Sequence, residues 1–516
     1  MKFTRVLFLL LILSIHAFAA ERPNILFIIF DDWNGSTHAG AYGCDWVKTP
    51  NFDRIAREGV LFKSAFTSNP KCSPCRASIL TGRNTWQLEE AVSHGGHFPA
   101  KFAVYPDLLE AAGYVVGLTG KGWGPGDFKV MAKRTRNPAG PSFDNAKMAE
   151  VPASGIGKND YAKNFEGFLA QRDKAKPFCF WMGFSEPHRA YEAGSGVRLG
   201  KKLADIKVPA YFPDVEIVRS DLADYAIEVE YADAHIGRAL AALEAAGQLE
   251  NTLIIVTSDH GMPFPFVKGQ IHEDGFRLPL AMRWGKGIKP GRVVEDFVNV
   301  RDFAPTFLEL GGVKPHEQIT GKSLAGILRS PKSGWVENRD VMLAGKERHD
   351  IGRPNDLGFP VRAIRTKEFL YVHNFFPDRW PVGNPETDFG NCDPSPTKEV
   401  LKALGGHFYD LSFGKRPADE LFRITDDPEC VRNLANDLAF KDTMEDLRYR
   451  MMKLLREEGD PRALGNGAIF DTYKYLGGRT KGYDTWLKAQ EATLAESVSN
   501  AVDAAKVNKK KGKANE

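Results

Sequence analysis

The sequence predicts an α/β fold: a sandwich built on a large mixed, mostly parallel sheet, followed by a smaller C-terminal α+β subdomain. Three observations carry that expectation. Asn24–Phe30 and Thr252–Ser258 are apolar, β-branched runs that each end in acidic residues, the composition of strands buried on both faces. Strand-like and helix-like segments alternate between them, as in a sheet covered by helices. After about Gly345 this alternation gives way to short strands and one charged amphipathic helix.

In chain order, residues 1–20 read as a secretory signal. Lys2 and Arg5 precede an apolar run from Val6 to Ile15, and Ala17-Phe18-Ala19 offers a small-x-small cleavage site. The run is too short to span a bilayer, and no other stretch is long enough. A periplasmic or secreted protein without a membrane span is therefore expected. Residues 105–112 read as a short helix, with Pro106 in its first turn and Gly113 at its end, and 114–118 as the next strand. Residues 220–246 read as a long helix, capped by Ser220 and stopped by Gly247. These elements make a catalytic domain of 21–345. In a subdomain of 346–480, residues 361–373 form two short strands around Thr366-Lys367, and 406–411 another. Residues 441–458 form a helix whose Met444, Leu447, Met451 and Leu455 make a core-facing stripe. The remainder, 481–516, is Ala- and Lys-rich and reads as a helical or disordered tail.

Composition narrows the function. The 516 residues are 43% hydrophobic and 26% charged, ordinary for a globular chain. A net charge of +3 without a concentrated basic face gives no sign of a nucleic-acid partner. Six cysteines in so long a chain are not a disulfide framework, and only Cys72 and Cys75 are closely spaced.

The chemistry gathers at strand ends, where open α/β sheets place their ligand sites. Asp31-Asp32 follows one buried strand and Asp259-His260 another. Adjacent carboxylates repel unless a cation or water lies between them. Together these residues offer hard oxygen donors and one imidazole, a set that suits Ca²⁺ or Mg²⁺. The third feature is Cys72-Ser73-Pro74-Cys75-Arg76, leading into Leu80-Thr81-Gly82. By itself it is open to two readings, one being the Cys pair of a thioredoxin-type oxidoreductase. That reading lacks the small βαβ context and leaves the two acid-tipped strands unused.

The other reading is a resemblance. Cys-x-Pro-x-Arg at 72–76 resembles the signature of the type I, formylglycine-dependent sulfatase family. The resemblance implies an alkaline-phosphatase-like sandwich, with Cys72 oxidised to formylglycine (3-oxoalanine) by a formylglycine-generating or anaerobic sulfatase-maturating enzyme. It implies one Ca²⁺ held by Asp31, Asp32, modified Cys72, Asp259 and His260. It further implies that Arg76, Lys121 and Lys268 bind sulfate, that His188 protonates the leaving group, and that Asp259 is a candidate base. The chain departs from the family in having Trp123 two residues after Lys121, where relatives carry a histidine. Trp123 could stack on a sugar, and the histidine's part would pass to His94 or His97. Cys75 stands where relatives have Ser or Ala, and a Cys72–Cys75 disulfide would block maturation.

Among sulfatases the chain looks most like sulfamidase-type (N-sulfoglucosamine sulfohydrolase) bacterial enzymes. That resemblance rests on Glu186-Pro187-His188-Arg189, Val208-Pro209-Ala210-Tyr211 and Gly261-Met262-Pro263-Phe264. A sulfated polysaccharide fragment is the implied substrate, N-sulfoglucosamine being favoured over O-sulfated algal sugars such as ulvan or carrageenan. A phosphomonoester or phosphonate hydrolase of the same superfamily is the more distant alternative. A silent carbohydrate-binding relative would have lost Cys72 or the carboxylates, and this chain has lost neither.

Overall fold

Asn24–Phe30 divides its side chains between two cores: Leu26, Ile28 and Phe30 join one apolar cluster, Ile25, Phe27 and Ile29 the other. Side chains alternate across a strand, so a run that is apolar throughout must bury both faces. In the computed structural model, which describes residues 22–131, 133–478 and 482–513, this strand is central. The expected signal segment, 1–20, lies outside the described residues. Among those described, no helix is long and apolar enough to cross a membrane.

The main sheet has seven strands, in the order Val115–Gly120, Phe178–Gly183, Asn24–Phe30, Thr252–Ser258, Leu280–Arg283, Val60–Phe62, Arg292–Val294. The first four are mutually parallel, and Leu280–Arg283 runs antiparallel to both of its neighbours. The sheet is therefore mixed, as expected. Tyr161–Gln171 and Glu216–Ala245 supply apolar side chains to the core on one face; Cys72–Thr81, Tyr105–Ala111 and Phe303–Leu310 supply the other.

A four-stranded antiparallel sheet forms the second unit, ordered Met342–Lys346, Val361–Arg365, Phe369–Asn374, Asp419–Arg423. Lys441–Glu457 covers it, burying Leu447, Met451 and Leu455 with Met444 partly buried beside them.

Two expectations are corrected. The long helix begins at Glu216 rather than after Ser220, because Val218 is already buried and Arg219 is clamped by Asp214 and the carbonyls of Leu203 and Ile206. Residues 406–411 are not a strand but part of the helix Gly406–Phe413. A short aromatic run fits either period. Here Gly405, at φ 63°, turns the chain out of Pro396–Leu404, and Phe413 stacks on Phe389 at 4.6 Å. The tail is a helix, Tyr483–Lys513, exposed along most of its described length.

Candidate active site

Strand register brings the acids together. Phe30 pairs with Ser258, so Asp31 and Asp259 leave adjacent parallel strands at the same level. Asp32, at φ 71°, turns back, and its backbone N–H donates to Asp259 Oδ1 at 3.2 Å. Gly120 pairs with Gly183 on the other side, setting Lys121 and the 184–189 segment at the same edge. A side chain at Gly183 would meet the Lys121 carbonyl at 1.9 Å, so only glycine permits this approach.

Cys72 opens the helix Cys72–Thr81 and is 1% exposed. Its Sγ marks where the oxygens of a modified residue would lie, 3.4 Å from both Asp31 Oδ1 and His260 Nε2. Burial and Asp31 oppose ionisation, yet Lys121 and His260 hold the Cys72 thiol well below its ordinary range. Burial and Asp259 push the Cys75 thiol the other way. Both cysteines are free, without the Cys72–Cys75 disulfide that would block maturation.

The cations interlock with the acids. Arg76 is fully buried; its Nε donates to Asp259 Oδ2 at 2.9 Å and its Nη1 to the carbonyls of Lys121 and Gly122. Lys121 Nζ is bonded to Asp31 Oδ2. Lys268 Nζ lies 2.6 Å from Asp32 Oδ2 and 2.7 Å from Asp393 Oδ2. Burial opposes the charge on Lys268, but these two carboxylates hold its ammonium well above the ordinary range. His188 Nδ1 donates to the Arg189 carbonyl at 2.7 Å, and Nε2 is 4.0 Å from Asp32 Oδ2. Its side chain is 37% exposed and lines a cleft of about 280 Å³ with Asp31, Lys121, Ser185, Glu186 and Glu228.

A divalent cation fits this donor set. Asp31, Asp32, Cys72 and His260 present ligand atoms within 4.8 Å of one another. Asp32 Oδ1 is buried without a hydrogen bond, 3.0 Å from His260 Nε2. His260 Nδ1 donates to the Gly261 carbonyl at 3.0 Å, which turns the Nε2 lone pair into the cluster. Burial opposes its charge, but with no cation Asp259 and Asp32 push His260 up to about 9. Asp259 stands outside the 4.8 Å group because Arg76 and the Asp32 N–H engage it; its Oδ1 lies 3.5 Å from His260 Nε2.

The remaining candidates separate cleanly. Trp123 is 3% exposed, packs edge-on to Phe98, and donates from Nε1 to the Ser73 carbonyl at 3.0 Å. An indole without an open face cannot stack on a sugar, so it braces the first turn of the Cys72 helix instead. His94 is drawn in: Nδ1 meets Asp350 Oδ1 at 2.8 Å, and burial opposes the ring's charge while Asp350, with a smaller part from Cys72, raises its pKa above the ordinary value. His97 is not; its backbone forms an isolated bridge with Asp127, away from the cluster. Sequence reasoning missed Asp350 and Asp393, which come from the second unit and carry no local motif.

The chain belongs to the sulfatase family: the pattern described as Sulfatase matches residues 23–313. A second pattern, described as N-sulphoglucosamine sulphohydrolase, C-terminal, matches residues 259–380. The chain is 30% identical to N-sulphoglucosamine sulphohydrolase of Homo sapiens, across 88% of this chain and 93% of that one. It is 26% identical to an ulvan-active sulfatase of Formosa agariphila, across 87% and 78%. A solved structure in complex with its substrate D-glucosamine-2-N,6-O-disulfate shares the fold, at a TM-score of 0.59 and 21% identity over 85% of this chain and 98% of that one. The fold is thus the alkaline-phosphatase-like sandwich, and the protein is a hydrolase of the sulfatase class.

Proposed function

We propose that this protein is exported and removes sulfate from sulfated sugar fragments, N-sulfoglucosamine foremost, with Cys72 matured to formylglycine. The observation that carries this reading is Cys72 Sγ at 3.4 Å from both Asp31 and His260, at the start of a buried helix and near the buried Arg76 and Lys268 and the partly buried Lys121. Asp31, Asp32, Asp259, His260 and the modified residue would hold one Ca²⁺. The cation supplies charge neutralisation, and the formylglycine hydrate supplies an oxygen nucleophile together with a second hydroxyl through which sulfate can be released.

The chain's own residues account for the rest. A sulfate monoester or sulfamate resists attack because its anionic oxygens repel nucleophiles. Arg76, Lys121 and Lys268 bring three positive charges to those oxygens at the base of a cleft, where partial burial strengthens them. Asp259, oriented by Arg76 Nε, is placed to accept a proton beside Cys72. His188, with Nδ1 tied to a backbone carbonyl, keeps Nε2 to hold a proton at the departing nitrogen or oxygen. His94, fixed by Asp350, takes the sulfate-facing part that Trp123 cannot.

The linkage reading rests on the match over 259–380 and the relative at 30% identity. A second reading, O-desulfation of algal polysaccharide, is favoured by the ulvan-active relative of similar coverage. Sulfate release from N-sulfoglucosamine, and from ulvan and carrageenan oligosaccharides, separates the two. Peptide mass spectrometry after expression in a converting host should find the Cys72 sulfur replaced by aldehyde oxygen. Cysteine alone in protein that turns over fully would overturn the chemistry, and release only from algal fragments would overturn the linkage.

A further inference from the structure

Asp393 is a buried carboxylate with no part in the chemistry above, yet it sits inside the site. It comes from the second unit, two residues before Ser395 caps the helix Pro396–Leu404. Its segment is well anchored: Lys398 Nζ donates to the Cys392 carbonyl at 3.3 Å, and Asn391 Nδ2 to that of Ile351 at 2.9 Å. Oδ2 meets Lys268 Nζ at 2.7 Å. Carboxylate oxygens of Asp393 and Asp32 and a ring nitrogen of His188 all lie within 4.8 Å of one another. Burial opposes its ionisation, but Lys268, Lys71 and His188 hold the Asp393 carboxyl well below the ordinary range.

Three such donors could suggest a second cation site. The Lys268 ammonium, at 2.6 and 2.7 Å from the two carboxylates, already fills that place. We propose that Asp393 is a positioning residue for Lys268, a role that rests on the sulfatase reading above. An ammonium donates three hydrogen bonds. Asp32 and Asp393 take two and fix the direction of the third, which is left for a sulfate oxygen. Asp32 alone could not fix it, because a long lysine side chain with one anchor swings about that anchor. The cost is a negative charge close to where an anion must bind, so Asp393 weakens ground-state sulfate binding while it orients the charge that acts in the transition state.

That opposition makes a sharp test. In the full chain, with Cys72 conversion checked by peptide mass spectrometry, Asp393→Asn should lower kcat at least tenfold. KM for the sulfated sugar, and the inhibition constant of inorganic sulfate, should stay level or fall. In a Lys268→Met background, Asp393→Asn should change kcat by less than twofold, since a residue acting through Lys268 has nothing left to position. Asp393→Glu, which keeps the charge but moves it by a methylene, should also lower kcat, and it provides a second variant should the asparagine protein fail to fold. An Asp393→Asn kcat within twofold of wild type, an undiminished effect without Lys268, or a wild-type kcat for Asp393→Glu would each overturn this role alone. A wild-type protein that releases no sulfate from any sulfated sugar or aryl sulfate would overturn the sulfatase reading as well.

Discussion

His94 Nδ1 lies 2.8 Å from Asp350 Oδ1, a contact between residues 256 apart that ties the second unit to the start of the Cys72 helix. Lys71 Nζ, 3.5 Å from Asp350 Oδ2, and the Tyr475 hydroxyl, 3.1 Å from Oδ1, complete the cluster. Nearby, the His94 N–H donates to the Arg348 carbonyl, and the Gly345 N–H to that of Ser68. The small subdomain therefore builds part of the site wall.

His94→Ala should lower kcat/KM by roughly 10²-fold, the scale of losing one oriented donor at a reacting centre. Asp350→Asn should give a smaller loss in the same direction. His97→Ala, on a stretch whose backbone bridges to Asp127, should have little effect. Steady-state sulfate release by the three variants checks the assignment; equal losses for His94 and His97 would contradict it.

The orphaned Asp32 Oδ1 sets the metal prediction. Saturating Ca²⁺ should raise the melting temperature, since a ligand at a hundredfold excess over its Kd stabilises by about 2.7 kcal/mol. Asp32→Asn should lose most of that shift and most turnover, while chelation should abolish wild-type activity until Ca²⁺ is restored. Metal analysis finding two zincs per chain would contradict the assignment.

Trp123→Ala should behave as a core truncation, costing about 3–5 kcal/mol of stability. It should reduce turnover of sugar sulfates and small aryl sulfates by similar factors, because the indole braces the Cys72 helix. A rise in KM confined to oligosaccharides would place a sugar against it after all.

Glu420 supplies a pH prediction for the subdomain. Burial works against its charge, but His272, Arg416 and the Asn374 amide hold its carboxyl down from 4.5 to about 2. A depressed carboxylate contributes stability above its ordinary value and loses it as pH falls through the folded value. That contribution, about 3 kcal/mol, should be present at pH 7 and disappear between about pH 4.5 and 2. Denaturant unfolding of Glu420→Gln should show a deficit at pH 6–7 that shrinks towards pH 3. A deficit of constant size would assign the effect to lost packing instead.

The sequence by itself determined the sheet's centre and which residues gather at its end. Asn24–Phe30 and Thr252–Ser258 are apolar throughout, which only a doubly covered strand allows, and parallel register then carries Asp31 beside Asp259. Cys72 and Arg76 were legible for a similar reason, since four residues on one short helix keep their spacing in space. What local pattern cannot encode, the tertiary structure decided. Gly406–Phe413 is a helix because its aromatics pack that way, and Trp123 is a brace because its indole is enclosed. Asp350 and Asp393 became visible only when the subdomain docked, since a buried cation takes whichever carboxylate the fold delivers within about 3 Å, however distant in sequence.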